Sequence, residues 1–159
     1  MNQAIVPQGA RLTSWPTQGQ TNPSNRILVV DDSIAIREAI PKVLVNYGYR
    51  VDVAGDGEAG WEALHAIPYD LLITDHKMPK LTGVELVKKL RFAGMGLPVI
   101  LASATLPLEA LNRDPSLQVG AVLLKPFTVG ELLEKVKGIL GADAGCVRAV
   151  SRGASILST

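Results

Sequence analysis

The chain has 159 residues, 16 lysines and arginines against 15 aspartates and glutamates, and 47% hydrophobic residues. This is the size of one ordinary domain with spare length, apolar enough to build a core and without the basic excess that direct nucleic-acid or membrane-surface binding usually shows. A single cysteine, Cys146, excludes an internal disulfide and a Cys-rich zinc site and fits a reducing cytoplasm.

Residues 1–25 contain no acidic residue, and 17 of the 25 are Asn, Gln, Ser, Thr, Pro or Gly. Such a segment buries too little apolar area to offset its ordering entropy, so it is expected to be a flexible leader. It lacks a basic stretch followed by an apolar run, and therefore reads as no secretory signal. From Arg26 onward short Val/Ile/Leu runs alternate with longer amphipathic segments, the pattern of βα units around a buried parallel sheet. The expected strands are 27–31 (ILVVD), 50–54 (RVDVA), 70–75 (DLLITD), 97–103 (LPVILAS) and 121–125 (AVLLK).

The first helix is expected over Ser33 to Tyr47, with a bend near Ile40 imposed by Pro41. The second covers Gly57 to Ala66 and is closed by Pro68; the third opens on the capping box Thr82-Gly-Val-Glu85 and ends near Gly94. The uncharged run Phe92 to Leu108 contains Gly94, Gly96, Pro98 and Pro107 and falls short of the ~20 apolar residues that span a bilayer, so no membrane insertion is expected. A fourth, barely two-turn helix is expected at Pro107 to Asn112 before the turn Asp114-Pro115-Ser116. The fifth opens on Thr128-Val-Gly-Glu131 and places Leu132, Val136, Ile139 and Leu140 on one stripe, with Lys135 and Lys137 facing out. Residues 141–159 are too few for an output domain and are expected to form a short tail, which leaves 26–140 as the folded unit.

Ligands of open parallel sheets bind beyond the carboxyl ends of the strands. There the sequence places Asp31-Asp32, Asp75, Ser103 and Lys125-Pro126, with Gly55 and Asp56 after the second strand. Three converging carboxylates repel unless a cation neutralises them, and an oxygen-only set suits Mg²⁺, which commonly completes its shell with phosphate oxygens. Lys125 and Ser103 then supply an ammonium and a hydroxyl for phosphoryl oxygens, and Asp75, central among the strands, is the expected nucleophile. Singly, an Asp or Ser after a strand is more often a helix cap; five strand-end positions with complementary chemistry are poorly explained by capping. The Lys125-Pro126 bond is a place where a cis peptide would aim the lysine inward.

On these residues the chain resembles the receiver domain of two-component response regulators over roughly 26–140, with ILVVDDS, LLITDHKMPKLTG, LASA and LLKPF at the family's motifs. The resemblance implies a three-layer, flavodoxin-like (βα)₅ sandwich with strand order 2-1-3-4-5. It further implies that Asp75 accepts a phosphoryl group from a histidine kinase, a histidine phosphotransfer protein or a small donor such as acetyl phosphate. Asp32 and Asp75 would bind Mg²⁺ directly, Asp31 through a water, and the Lys77 backbone carbonyl would complete the ligands. Ser103 and Lys125 would contact the phosphoryl group, and Gly83 would permit a tight turn. Such a protein is a cytoplasmic phosphoacceptor acting only on its own phosphorylation and dephosphorylation, not an enzyme on other substrates. It would signal by protein contact through the face of helix 4, strand 5 and helix 5. One departure stands out: the family usually has Tyr or Phe three residues before the lysine, a switch partner of Ser103, and here that residue is Val122. Lys77 and Thr105 stand at positions that modulate dephosphorylation in the family.

Two other readings compete. Residues 55–60, GDGEAG, satisfy G-x-G-x-x-G between a strand and a helix, but a dinucleotide site leaves Asp31, Asp32, Ser103 and Lys125 unexplained. A receiver-like scaffold that binds partners without phosphorylation is consistent with Val122 and the irregular fourth helix. His65 and His76 read as surface or loop residues without transition-metal spacing, Trp61 and Tyr47 as packing residues, and Cys146 as an unreactive thiol.

Overall fold

A computed structural model describes residues 25–141. The expected leader and tail, with Cys146, lie outside the described residues apart from Asn25 and Gly141. The elements follow as β1 (Arg26–Val30), α1 (Ile34–Asn46), β2 (Arg50–Ala54), α2 (Gly57–Ala66), β3 (Leu71–Asp75), α3 (Gly83–Phe92), β4 (Val99–Ser103), α4 (Leu108–Arg113) and β5 (Ala121–Leu124), and α5 occupies 129–141. All strand pairs are parallel in the order β2-β1-β3-β4-β5, as the resemblance implied.

The continuous apolar runs arise because both sheet faces are covered. Alternate residues go to opposite cores: Ile27, Val29, Ile73 and Ile100 pack with Ile40 and Leu44 of α1 and Leu132 and Val136 of α5. Leu28, Val30, Leu72 and Leu101 pack instead with Leu64 of α2 and Leu86, Val87 and Leu90 of α3. The period of two along each strand thus divides one hydrophobic run between two helical layers.

Several expectations are adjusted in detail. α1 runs unbroken through Pro41; burial of Ile40 and Leu44 against the sheet offsets the one ladder bond that proline cannot donate. β4 begins at Val99, since Pro98 has no N–H for the ladder, although its carbonyl still accepts from Leu72 N at 3.0 Å. α4 has six residues and buries none of them, and Asp114 leads into a 3₁₀ turn (Pro115–Leu117) that inserts Leu117 into the core. Tyr47 caps α1 and is exposed, with the Lys137 ammonium 5.0 Å above its ring, rather than packed inside.

Both capping boxes form. Glu85 N donates to Thr82 Oγ1 at 3.2 Å and Thr82 N to Glu85 Oε2 at 2.8 Å; the same exchange joins Thr128 and Glu131 at 3.1 and 2.7 Å. Backbone hydrogen bonds from the cap residues hold both glutamates below the ordinary carboxylate range. Gly83 serves a different purpose from the expected turn, because its φ is not positive. A Cβ there would lie 2.1 Å from the Asp75 carbonyl oxygen, so the missing side chain lets the chain close on β3, with Gly83 N donating to His76 O at 2.9 Å.

Replacing Thr82 by Ala is expected to cost about 1 kcal/mol in urea unfolding, and Gly83→Ala more, about 1–3 kcal/mol, because backbone must shift. The depressed glutamates contribute stability that is present above their unfolded pKa and lost as pH falls through the lower folded value. A Glu85→Gln, Glu131→Gln variant is therefore expected to lose less stability than the parent between about pH 5 and about pH 3; an identical acid-side slope would refute this origin.

Candidate functional site

The parallel topology brings the carboxyl ends of β1, β3, β4 and β5 to one edge. Asp31 and Asp32 follow β1, Asp75 and Ser103 are the last residues of β3 and β4, and Lys125 follows β5. Asp31 is 2% exposed, Asp75 7% and Ser103 2%, while Asp32 is solvent-exposed at the rim.

The backbone fixes each position. Asp31 N donates to Ala54 O at 3.1 Å, and His76 N, just past Asp75, to Ala102 O at 2.8 Å. Lys125 N donates to Ser103 O at 2.8 Å, and the Lys125-Pro126 bond is cis. Around the acidic pair, Ser33 N donates to Asp31 Oδ1 at 2.8 Å and the Arg37 guanidinium donates to the Asp31 carbonyl at 2.7 Å. Arg37 escaped the sequence reading, because a residue six positions on, across a loop–helix junction, belongs to no motif.

Carboxylate oxygens of Asp31, Asp32 and Asp75 come within 4.8 Å of one another. The Lys125 ammonium bridges two of them, 2.9 Å from Asp31 Oδ2 and 2.9 Å from Asp75 Oδ1. Its burial opposes the charged form, but hydrogen bonds to Asp75 and Asp31 outweigh this and raise its pKa above the ordinary lysine value. One ammonium cannot neutralise three carboxylates, and the remaining hard oxygens suit a divalent cation of the Mg²⁺ type. The Ser103 hydroxyl accepts from Thr105 N at 3.3 Å.

The other candidates are less central. Lys77 lies in the exposed loop two residues beyond Asp75, and Val122 is half-buried on β5 opposite Leu101. Asp56 is a helix cap whose Oδ1 accepts from Ala59 N at 2.8 Å, a bond that lowers its pKa. Gly57 and Gly60 meet protein: an added Cβ would lie 2.4 Å from Leu81 O and 2.8 Å from Val30 Cγ2, respectively. Gly57 and Gly60 therefore serve close packing of the helix, and a Cβ on Gly55, in the preceding loop, would lie 3.2 Å from the Arg37 guanidinium, so the three glycines are used by protein contacts rather than by a dinucleotide. His65 is exposed on α2; His76 is half-buried, and its Nδ1 is a buried side-chain atom without a hydrogen-bond partner among the described residues.

Residues 27–137 match the family described as response regulator receiver domain. Among curated proteins, the probable transcriptional regulatory protein SilR of Salmonella typhimurium is 38% identical over 117 residues, covering 72% of this chain and 50% of the relative. Response regulator RppA of Synechocystis sp. is 41% identical over 118 residues, with coverage of 72% and 50%. The chain thus spans about half the length of these relatives. Among solved structures, a CheY-like receiver domain protein from Methanospirillum hungatei superposes with a TM-score of 0.72 at 29% identity, covering 77% of this chain and 98% of that one. TrrA from Thermotoga maritima, solved with Mg(2+)-BeF, gives 0.63 at 34% identity, covering 72% and 98%. A family match that runs from β1 into α5, over residues 27–137, places the chain in a family: it belongs to the response regulator receiver domains of two-component systems.

Proposed function

We propose that this receiver accepts a phosphoryl group on Asp75 in a Mg²⁺-dependent reaction and signals by protein contact. The observation that carries this reading is the Lys125 ammonium held 2.9 Å from both Asp31 and Asp75, beside the third carboxylate of Asp32. The donor is the phosphohistidine of a histidine kinase or phosphotransfer protein, or a small acyl phosphate. As an Asp75 oxygen attacks phosphorus, the bond from phosphorus to the donor nitrogen or oxygen breaks, and the product is an aspartyl phosphate. Asp31, Asp32, Asp75 and the Lys77 carbonyl would hold the ion, which when bound supplies charge neutralisation for the phosphoryl oxygens. Lys125 exchanges its bond to Asp75 for one to a phosphoryl oxygen, and Ser103, behind the same strand edge, donates to another.

The output surface is assigned to α4, β5 and α5. Support comes from α4, which buries no residue, and from the exposed apolar side chains of Leu106, Leu108, Leu124 and Val129 on or beside these elements. Val122 favours a second reading, in which contact does not depend on phosphorylation, because no aromatic ring stands there to follow Ser103.

Brief incubation with acetyl phosphate and Mg²⁺ is expected to add one base-labile phosphoryl group by intact mass. The adduct should be absent in Asp75→Asn and form at least about tenfold more slowly in Lys125→Ala, in keeping with loss of one electrostatic contact to the transferred group. Beryllofluoride should move amide resonances of 106–113 and 121–129. An adduct without those shifts would favour the second reading; neither an adduct nor Mg²⁺-dependent beryllofluoride binding would overturn the first.

A further inference from the structure

A cleft of about 560 Å³ lies away from the acidic pocket, on the opposite helical layer from α1 and α5, between α2, α3 and the turn after α4. Its wall includes Trp61, Lys88, Lys89, Phe92, Asp114 and Ser116. Phe92 is 97% exposed at the end of α3. A lone exposed phenylalanine is ordinary, but this one borders a cleft beside a half-buried indole and so offers an anchor side chain two aromatic surfaces.

Among the charged groups that line the cleft, Lys88, Lys89 and Arg91 outnumber Asp114, and Glu85 lies beside Lys88. Lys88 and Lys89 are exposed, and the Lys89 ammonium stands 5.0 Å over the Trp61 ring. Arg91 forms the cleft's inner edge and donates only to the backbone carbonyls of Leu117, Met95, Leu97 and Gln118, at 2.8–3.1 Å. No carboxylate among the described residues pairs with it. Asp114, the acidic residue of the wall, is already engaged by the backbone N–H and hydroxyl of Ser116. Those Arg91 bonds also tie α3 to the segment 117–118, which keeps the cleft preformed.

We infer that this cleft docks an acidic segment of a partner protein carrying a large apolar anchor, at a surface separate from the α4–β5–α5 face. Charge complementarity selects that occupant: the anchor fills the Trp61–Phe92 cleft and flanking carboxylates meet Lys88 and Lys89. The chain's own flanks match poorly, because residues 1–24 carry no acidic residue and residues 142–159 carry Asp143 against Arg148 and Arg152. The inference does not depend on phosphorylation of Asp75.

The test uses the full chain and a short capped glutamate peptide with two phenylalanines one helical turn apart, followed by amide NMR at low salt. Saturable shifts confined to the neighbourhood of Trp61, Lys89, Phe92 and Ser116 are expected. Binding should weaken at least about tenfold in Lys88→Glu, Lys89→Glu and at raised salt, and survive Asp75→Asn. These substitutions are on exposed side chains, and an otherwise unchanged spectrum reports an intact fold. Absence of saturable shifts, or equal binding of the lysine-for-glutamate peptide, would overturn the inference. So would groove shifts that depend on protein concentration alone, which assign the cleft to a second copy, or shifts on deleting residues 1–24, which assign it to the leader.

Discussion

Carboxylates at the ends of β1 and β3 repel one another, and the fold must hold them together against that repulsion. The Lys125 ammonium does so by bridging Asp31 and Asp75 at 2.9 Å each, from the far side of β4. The arrangement requires that β1, β3 and β5 stop in step, since a one-residue slip would turn each functional side chain to the opposite face of the sheet. Register therefore matters more to this site than any single contact. It is maintained by the parallel ladders and by bonds that continue them past the strand ends, from Asp31 N to Ala54 O and from Lys125 N to Ser103 O.

Removing one partner from a buried ion pair is generally far more costly than removing both, because a desolvated charge is left behind. The three carboxylates outnumber the single Lys125 ammonium that bridges two of them, so any further negative charge at this edge has to be met by a cation or by a rearrangement of the lysine. The same edge leads directly into α4, which has six residues and none buried. The sheet is thus closely packed on one side of this edge, and the element that follows it is held by few buried contacts.

The two helical layers differ in character. α1 and α5 close over one face with long apolar stripes, whereas the opposite layer is locked at its far end by Arg91, which joins α3 to the turn holding Leu117. A guanidinium that gives four hydrogen bonds to backbone carbonyls reinforces segments that already share the core cluster of Leu86, Leu90 and Leu117. It also leaves positive charge beside Trp61 and Phe92, so a structural fastening shapes the surface next to it.

The alternation of apolar runs and amphipathic segments, the two capping boxes and the polar strand ends were legible in the sequence, because each depends on residues close together in the chain and on fixed backbone periods. Through them the order of elements and the set Asp31, Asp32, Asp75, Ser103 and Lys125 could be read before any coordinates. The close approach of Gly83 to the Asp75 carbonyl, the exposure of Tyr47 and the clamp of Arg37 on Asp31 could not. Each depends on what another segment places beside the residue: a strand end under Gly83, a lysine of the last helix over Tyr47, a carbonyl within reach of a guanidinium. Local sequence determined which chemistry the chain carries and where along it; only tertiary packing decided the distances between those groups, because the forces that set them act between residues far apart in the chain.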